Sequence, residues 1–116
     1  LHLHLSQPQA IIGAGSDLYK VTHLHAKRIQ ALPLGLRNMM QLKHLDLGDS
    51  PLEALPEWLG ELPFIETLNI SNTSIKDLPM ALKYSPYLRE IGVKRHQREL
   101  MENIESVRHD IDFIFS

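Results

Sequence analysis

The chain contains no cysteine among its 116 residues. That excludes disulfide staples, a thiol nucleophile and thiolate-bound metal. Aromatic residues are scarce, with one Trp, three Tyr and three Phe, and they do not gather around basic residues as a nucleic-acid stacking platform would require. Net charge is only -2, so no global field favours nucleic acid or an acidic membrane. No apolar run approaches the roughly 20 residues of a membrane span. Residues 1–5 lack the basic start and long apolar middle of a signal peptide, and the missing initiator Met suggests a piece cut from something longer. The sequence also has no Gly-x-Ser-x-Gly, no phosphate-loop motif and no metalloprotease helix. The expectation is one domain without enzymatic activity and without a cofactor.

What the chain does have is a repeat. From Leu42, apolar residues fall at Leu42, Leu45, Leu47, Leu52, Leu55, Leu59 and Leu62, with Pro56 after Leu55. A shift of 23 residues gives Ile65, Leu68, Ile70, Ile75, Leu78, Pro79 and Leu82. Counting back by the same step assigns Tyr19, Thr22, Leu24, Ile29, Leu32, Pro33, Leu36 and Met39 to an earlier copy, and a fourth copy opens with Leu88, Ile91 and Val93. Such a period marks a stack of identical supersecondary units.

The spacing itself dictates a shape. In Leu-x-x-Leu-x-Leu, alternate side chains share one face, so Leu45 and Leu47 point inward while their neighbours point out. The Leu-Pro step removes a backbone donor and fixes φ, which ends regular pairing and turns the chain back. Leu55, Leu59 and Leu62 then recur at helix-like intervals. A strand and a short return cannot bury an apolar face alone, so neighbours stack with strands parallel and about 4.8 Å apart. The returns are too short for the full crossover helices of an ordinary α/β sheet.

The copy from Ile65 to Pro79 resembles the 23-residue Leu-Pro class of leucine-rich repeats found in cytoplasmic plant resistance receptors, Ras-group scaffolds and bacterial type III effectors. The resemblance covers about residues 19–93. It implies an α/β leucine-rich repeat solenoid: a curved parallel sheet with short strands on the concave face and helical or extended returns on the convex face. Many family members carry Asn at the ninth position, where its side chain bridges adjacent loops; the matching residues here are Lys27, Ser50, Thr73 and His96. Extracellular members commonly close their ends with disulfide-bonded caps. Their absence implies a cytoplasmic protein or a bacterial effector acting in a host cell.

Both ends of such a stack need covering. Residues 1–18 are expected to form an N-terminal cap or irregular repeat: Leu1, Leu3 and Leu5 alternate with His2 and His4 as one more strand, and Pro8, Gly13 and Gly15 lie in a loose connection rather than a phosphate loop. Residues 94–116 are expected to close the other end. Leu100, Ile104, Val107 and Ile111 form one stripe of a helix over 97–109, with Glu99, Glu102 and Glu105 on its wet side. A fifth strand of the repeat follows over 111–115, with Ile111 standing 23 residues after Leu88.

Function is then sought on the outward strand positions. Counted by the repeat, the columns are Val21, His44, Thr67 and Glu90; His23, Asp46, Asn69 and Gly92; and His25, Gly48, Ser71 and Lys94. Ala26, Asp49, Asn72 and Arg95 form the loop edge. The predicted partner-binding residues are His23, His25, His44, Asp46, Asp49, Thr67, Asn69, Ser71, Asn72, Glu90 and Lys94. Of these, Asp46, Asp49, Asn69, Asn72 and Glu90 are expected to have no core role, so their substitution should change stability by no more than about 0.5 kcal/mol. A rigid polar sheet suits a polypeptide partner, bound by a monomer, with no nucleic acid, membrane or small-molecule substrate. The histidines place imidazoles near Asp46, with His4 beside His23, yet the expectation is a solvated or partner-contacting patch with no metal. Lys94, Arg95, His96 and Arg98 read as a solvated turn, and Trp58 as filling a gap over the Leu-Pro turn or, as the alternative, as an exposed anchor. The competing reading is the substrate-recognition domain of a bacterial effector whose ubiquitin-ligase activity lies outside this fragment.

Overall fold

The computed structural model describes residues 2–5, 19–28, 32 and 37–115. Six short strands, β1 (His2–Leu5), β2 (His23–Ala26), β3 (His44–Asp46), β4 (Thr67–Asn69), β5 (Glu90–Val93) and β6 (Asp112–Phe115), form one sheet. Every pairing is parallel and every strand lies beside its sequence neighbour. The connections hold a 3₁₀ helix (Glu57–Glu61) and two α-helices, α1 (Met80–Lys83) and α2 (Arg98–Glu105).

The leucine spacing builds this sheet because each copy supplies the same three inward residues. Val21, Leu42, Ile65 and Leu88 form one buried row, Leu24, Leu45, Leu68 and Ile91 the next, and Ala26, Leu47, Ile70 and Val93 the third, each no more than 2% exposed. Leu52, Leu55, Leu59 and Leu62 close the layer from the return side, as do Ile75, Leu78 and Leu82 in the next copy. Pro56 and Pro79 stand just before the 3₁₀ helix and α1, where a missing N–H costs nothing. Trp58 is half-buried against this core, as expected of a gap filler.

The first copy is shorter than the counted period. Leu24 pairs with Leu45, a step of 21, whereas Leu45 to Leu68 and Leu68 to Ile91 are steps of 23. The inward trio is therefore Val21, Leu24 and Ala26, not Tyr19, Thr22 and Leu24. Burial explains the choice: Tyr19 stays 49% exposed, while Val21 and Ala26 bury completely without stranding a polar group. Val21 and Ala26 accordingly leave the outward columns. β1 steps by 21 as well, pairing His2 with His23 and His4 with His25 rather than His4 with His23. Pro8, Gly13 and Gly15, together with Ile29, Pro33 and Leu36 of the first return, lie outside the described residues.

The C-terminal segment departs in a similar way. The helix spans Arg98–Glu105 rather than 97–109, so Leu100 and Ile104 are buried while Val107, past its end, is 37% exposed. Ile91 pairs with Phe113, a step of 22, which puts the exposed Asp110 in the place of Leu88 and leaves Ile111 one residue out of register. Arg108 takes over the closing role. Its guanidinium donates to the carbonyls of Lys83 (2.8 Å), Ser85 (2.9 Å) and Leu88 (2.8 Å).

Candidate functional site: the outward face of the sheet

On a strand the side chains flanking an inward leucine both point out. The observed register arranges them in two columns: His23, His44, Thr67, Glu90 and Asp112, then His25, Asp46, Asn69, Gly92 and Ile114. A depression of about 380 Å³ runs across them, walled by His23, His25, His44, Asp46, Thr67, Asn69, Glu90 and Ile114 and floored in part by Gly92. It draws on five consecutive strands.

Its polar groups are tied to one another across the strands. The His23 and His44 rings stack with centroids 4.4 Å apart. Nδ1 of His23 lies 2.9 Å from the Thr22 hydroxyl, and Nδ1 of His44 lies 2.7 Å from the Thr67 hydroxyl. In the second column Asp46 Oδ1 accepts from the backbone N–H of Gly48 and from Asn69 Nδ2, both at 3.0 Å. Asn69 Oδ1 in turn accepts from the Ser71 N–H at 3.1 Å. Each side chain thus closes an Asx turn at its strand end, and one bond, from Asn69 to Asp46, joins the two copies. Asn69 lies so close over Gly92 that a Cβ there would stand 2.7 Å from Asn69 Oδ1.

The predicted partner-binding residues divide accordingly. His23, His25, His44, Asp46, Thr67, Asn69 and Glu90 converge on the depression. Asp49, Asn72 and Lys94 sit at the strand ends, and Ser71 is buried at 6% exposure beneath them. The first copy's loop-edge residue is Arg28 rather than Ala26, since Arg28, Asp49 and Asn72 share a left-handed backbone with φ of 60°, 61° and 58°. Asp46 and Asn69 are also structural. Losing a half-buried acceptor that serves two donors costs about 1–3 kcal/mol, more than the 0.5 kcal/mol expected of a purely outward residue.

Two residues of the site's frame escaped the sequence reading. Ile114, an apolar wall, was hidden by its alternation with Phe113 and Phe115. Gln97 is 7% exposed, and its amide donates to the Ile70 and Thr73 carbonyls (3.0 and 3.4 Å) and accepts from the Asn72 and Lys94 N–H groups (3.1 and 2.7 Å). That is the bridging role assigned to the ninth position, moved one residue on from the exposed His96. Ser50 performs it in its own copy, donating to the Ala26 carbonyl at 3.3 Å, whereas Thr73 bonds locally to Ile70.

Among the described residues no helix is long and apolar enough to cross a membrane. The chain matches no protein-family model, and no curated protein has a matching sequence.

Proposed function

We propose that this chain is a leucine-rich repeat solenoid of the Leu-Pro class, part of a larger cytoplasmic protein, and that it binds a polypeptide partner across the outward face of its sheet without catalysing a reaction. The depression spanning five strands carries this reading. Its lining mixes imidazoles, carboxylates, an amide and one isoleucine on a frame fixed by backbone pairing, and such a surface recognises an extended segment through many small contacts. The cross-strand hydrogen bonds hold the side chains in place before a partner arrives, which lowers the ordering cost of association.

The reading is tested with a displayed library of random peptides selected on the folded chain. Peptides that bind are re-measured on Thr67→Arg/Glu90→Arg, which fills the middle of the depression and leaves the Asx turns of Asp46 and Asn69 intact. Affinity should fall at least about tenfold, or about 1.4 kcal/mol, with little change in melting temperature. Undiminished binding by that variant, with loss on Phe64→Ser/Tyr87→Ser instead, would move the contact to the exposed aromatic pair at the sheet's other margin, whose rings lie 5.8 Å apart.

A further inference from the structure

The depression is uneven in charge. With the histidines neutral near pH 7, the charged residues that wall it, among those described, are Asp46 and Glu90, and no lysine or arginine lines it. Asp112 adds a third carboxylate beside them: it is the register partner of Glu90 on β6 and is exposed. Glu90 and Asp112 therefore project from neighbouring strands about 4.8 Å apart to the same side of the sheet, where like charges oppose each other. The nearest basic residues in sequence lie past the end of β5, and Arg95 there stands over the Phe115 ring, 5.6 Å from its centroid.

The carboxylates differ in how far they are already engaged. Asp46 Oδ1 accepts from Gly48 and Asn69, and its Oδ2 lies 3.4 Å from His25 Nδ1. Glu90 pairs with Arg89, whose Nη1 is 3.1 Å from Oε1. Both members of that pair are open to solvent, at 38% and 55% side-chain exposure, and Arg89 also reaches Glu66 at 3.4 Å. A contact of this kind contributes little, so a second cation can share or replace it.

Apolar surface adjoins the two carboxylates. Gly92 puts no side chain between Asn69 and Ile114 in the second column, and Ile114 is 51% exposed. An aliphatic wall beside a pair of carboxylates matches a side chain with an apolar stem and a cationic head. An acidic side chain would meet uncompensated repulsion there, and a purely apolar one would strip water from the carboxylates without replacing its hydrogen bonds.

We propose that the depression selects an extended segment carrying a lysine or arginine, with the aliphatic stem on Ile114 and the cation between Glu90 and Asp112; this rests on the reading of the face as a peptide-binding surface. Three pools of short immobilised peptides test it, each random in neutral residues around a central Arg, Gln or Glu. The Arg pool should capture the folded chain best, and that capture should weaken as sodium chloride rises from about 0.1 to 1 M, where the Debye length falls from about 10 to about 3 Å. Glu90→Gln and Asp112→Asn should each weaken binding to the Arg pool about threefold and together about tenfold. Glu90→Lys/Asp112→Lys should turn the preference to the Glu pool. Glu99→Gln/Glu102→Gln, at exposed positions of α2, should change nothing. The salt series uses the unsubstituted chain and so does not depend on how the variants fold. Equal capture by the three pools, capture insensitive to salt, or an Arg preference that survives the charge reversal overturns the proposal while leaving the peptide-binding reading standing. Capture by none of the pools overturns both.

Discussion

Arg28, Asp49 and Asn72 hold the same left-handed backbone at the same point of successive copies, but only two of them are suited to it. Asp and Asn tolerate that region through short polar side chains that bond locally, and here Asn72 Nδ2 also donates to Asp49 Oδ1 at 2.9 Å. Arginine has no such compensation. Arg28→Gly should therefore raise stability by about 0.5–1 kcal/mol, the relief of left-handed strain less the entropy that glycine adds to the unfolded chain. Asn72→Gly should lower it, because the bond to Asp49 is lost. Urea denaturation of both variants checks this, and equal destabilisation of the two would show that Arg28 is not strained. Arg28 also shows why the first copy was hard to read. The inward trio of β2 ends in Ala26 rather than leucine, so a count of large apolar residues shifts the frame by two and carries His23 and His25 into the wrong columns. In the later copies Leu45, Leu47, Leu68 and Ile70 alternate with polar residues, and there the outward set was legible without coordinates.

Between elements, distances that no repeat pattern encodes decide the packing. The 3₁₀ helix Glu57–Glu61 lies against α1 so closely that a Cβ on Gly60 would stand 2.4 Å from Ala81 Cβ and 2.7 Å from the Leu82 nitrogen. Neither neighbour has a flexible end that can move aside. Gly60→Ala should therefore cost about 1–3 kcal/mol, read as a lower melting temperature, and an unchanged melting curve would mean that the two helices part freely. The same kind of contact explains why the C-terminal helix was read too long. Apolar spacing ran on through Val107 and Ile111, but the chain leaves the helix after Glu105 so that Arg108 can reach three carbonyls of the α1–β5 turn. Arg108 also donates to Asp110 at 2.7 and 3.0 Å, and this hydrogen bonding holds the exposed Asp110 carboxyl below its usual 3.8. A charged residue closing a turn has no periodicity, so nothing in the sequence marked it.

For the whole molecule, stability rests on contacts between adjacent layers, because each copy buries its apolar face only against its neighbours. The last two elements then matter in proportion to what they cover. Leu100 and Ile104 of α2 are 1% exposed, and Phe113 and Ile111 pack partly buried against the same core. Gln97 and Arg108 add the polar ties to the β4 and α1 turns described above. Deleting residues 97–116 should uncover Leu88, Ile91 and Val93, now no more than 2% exposed, and remove both ties at once. The expected result is aggregation on size exclusion or a cooperative drop in melting temperature, and not the loss of one local element, since the uncovered layer shares side chains with the one beneath it. A smaller lesion separates covering from mere attachment. Arg108→Gln removes the charged clamp while leaving α2 and β6 in the chain, so it should lower stability by only part of the truncation's effect and keep the protein monomeric. If the truncated chain stays monomeric with an unchanged melting curve, the layer around Ile91 is stable when exposed, and residues 97–116 do not act as its cover.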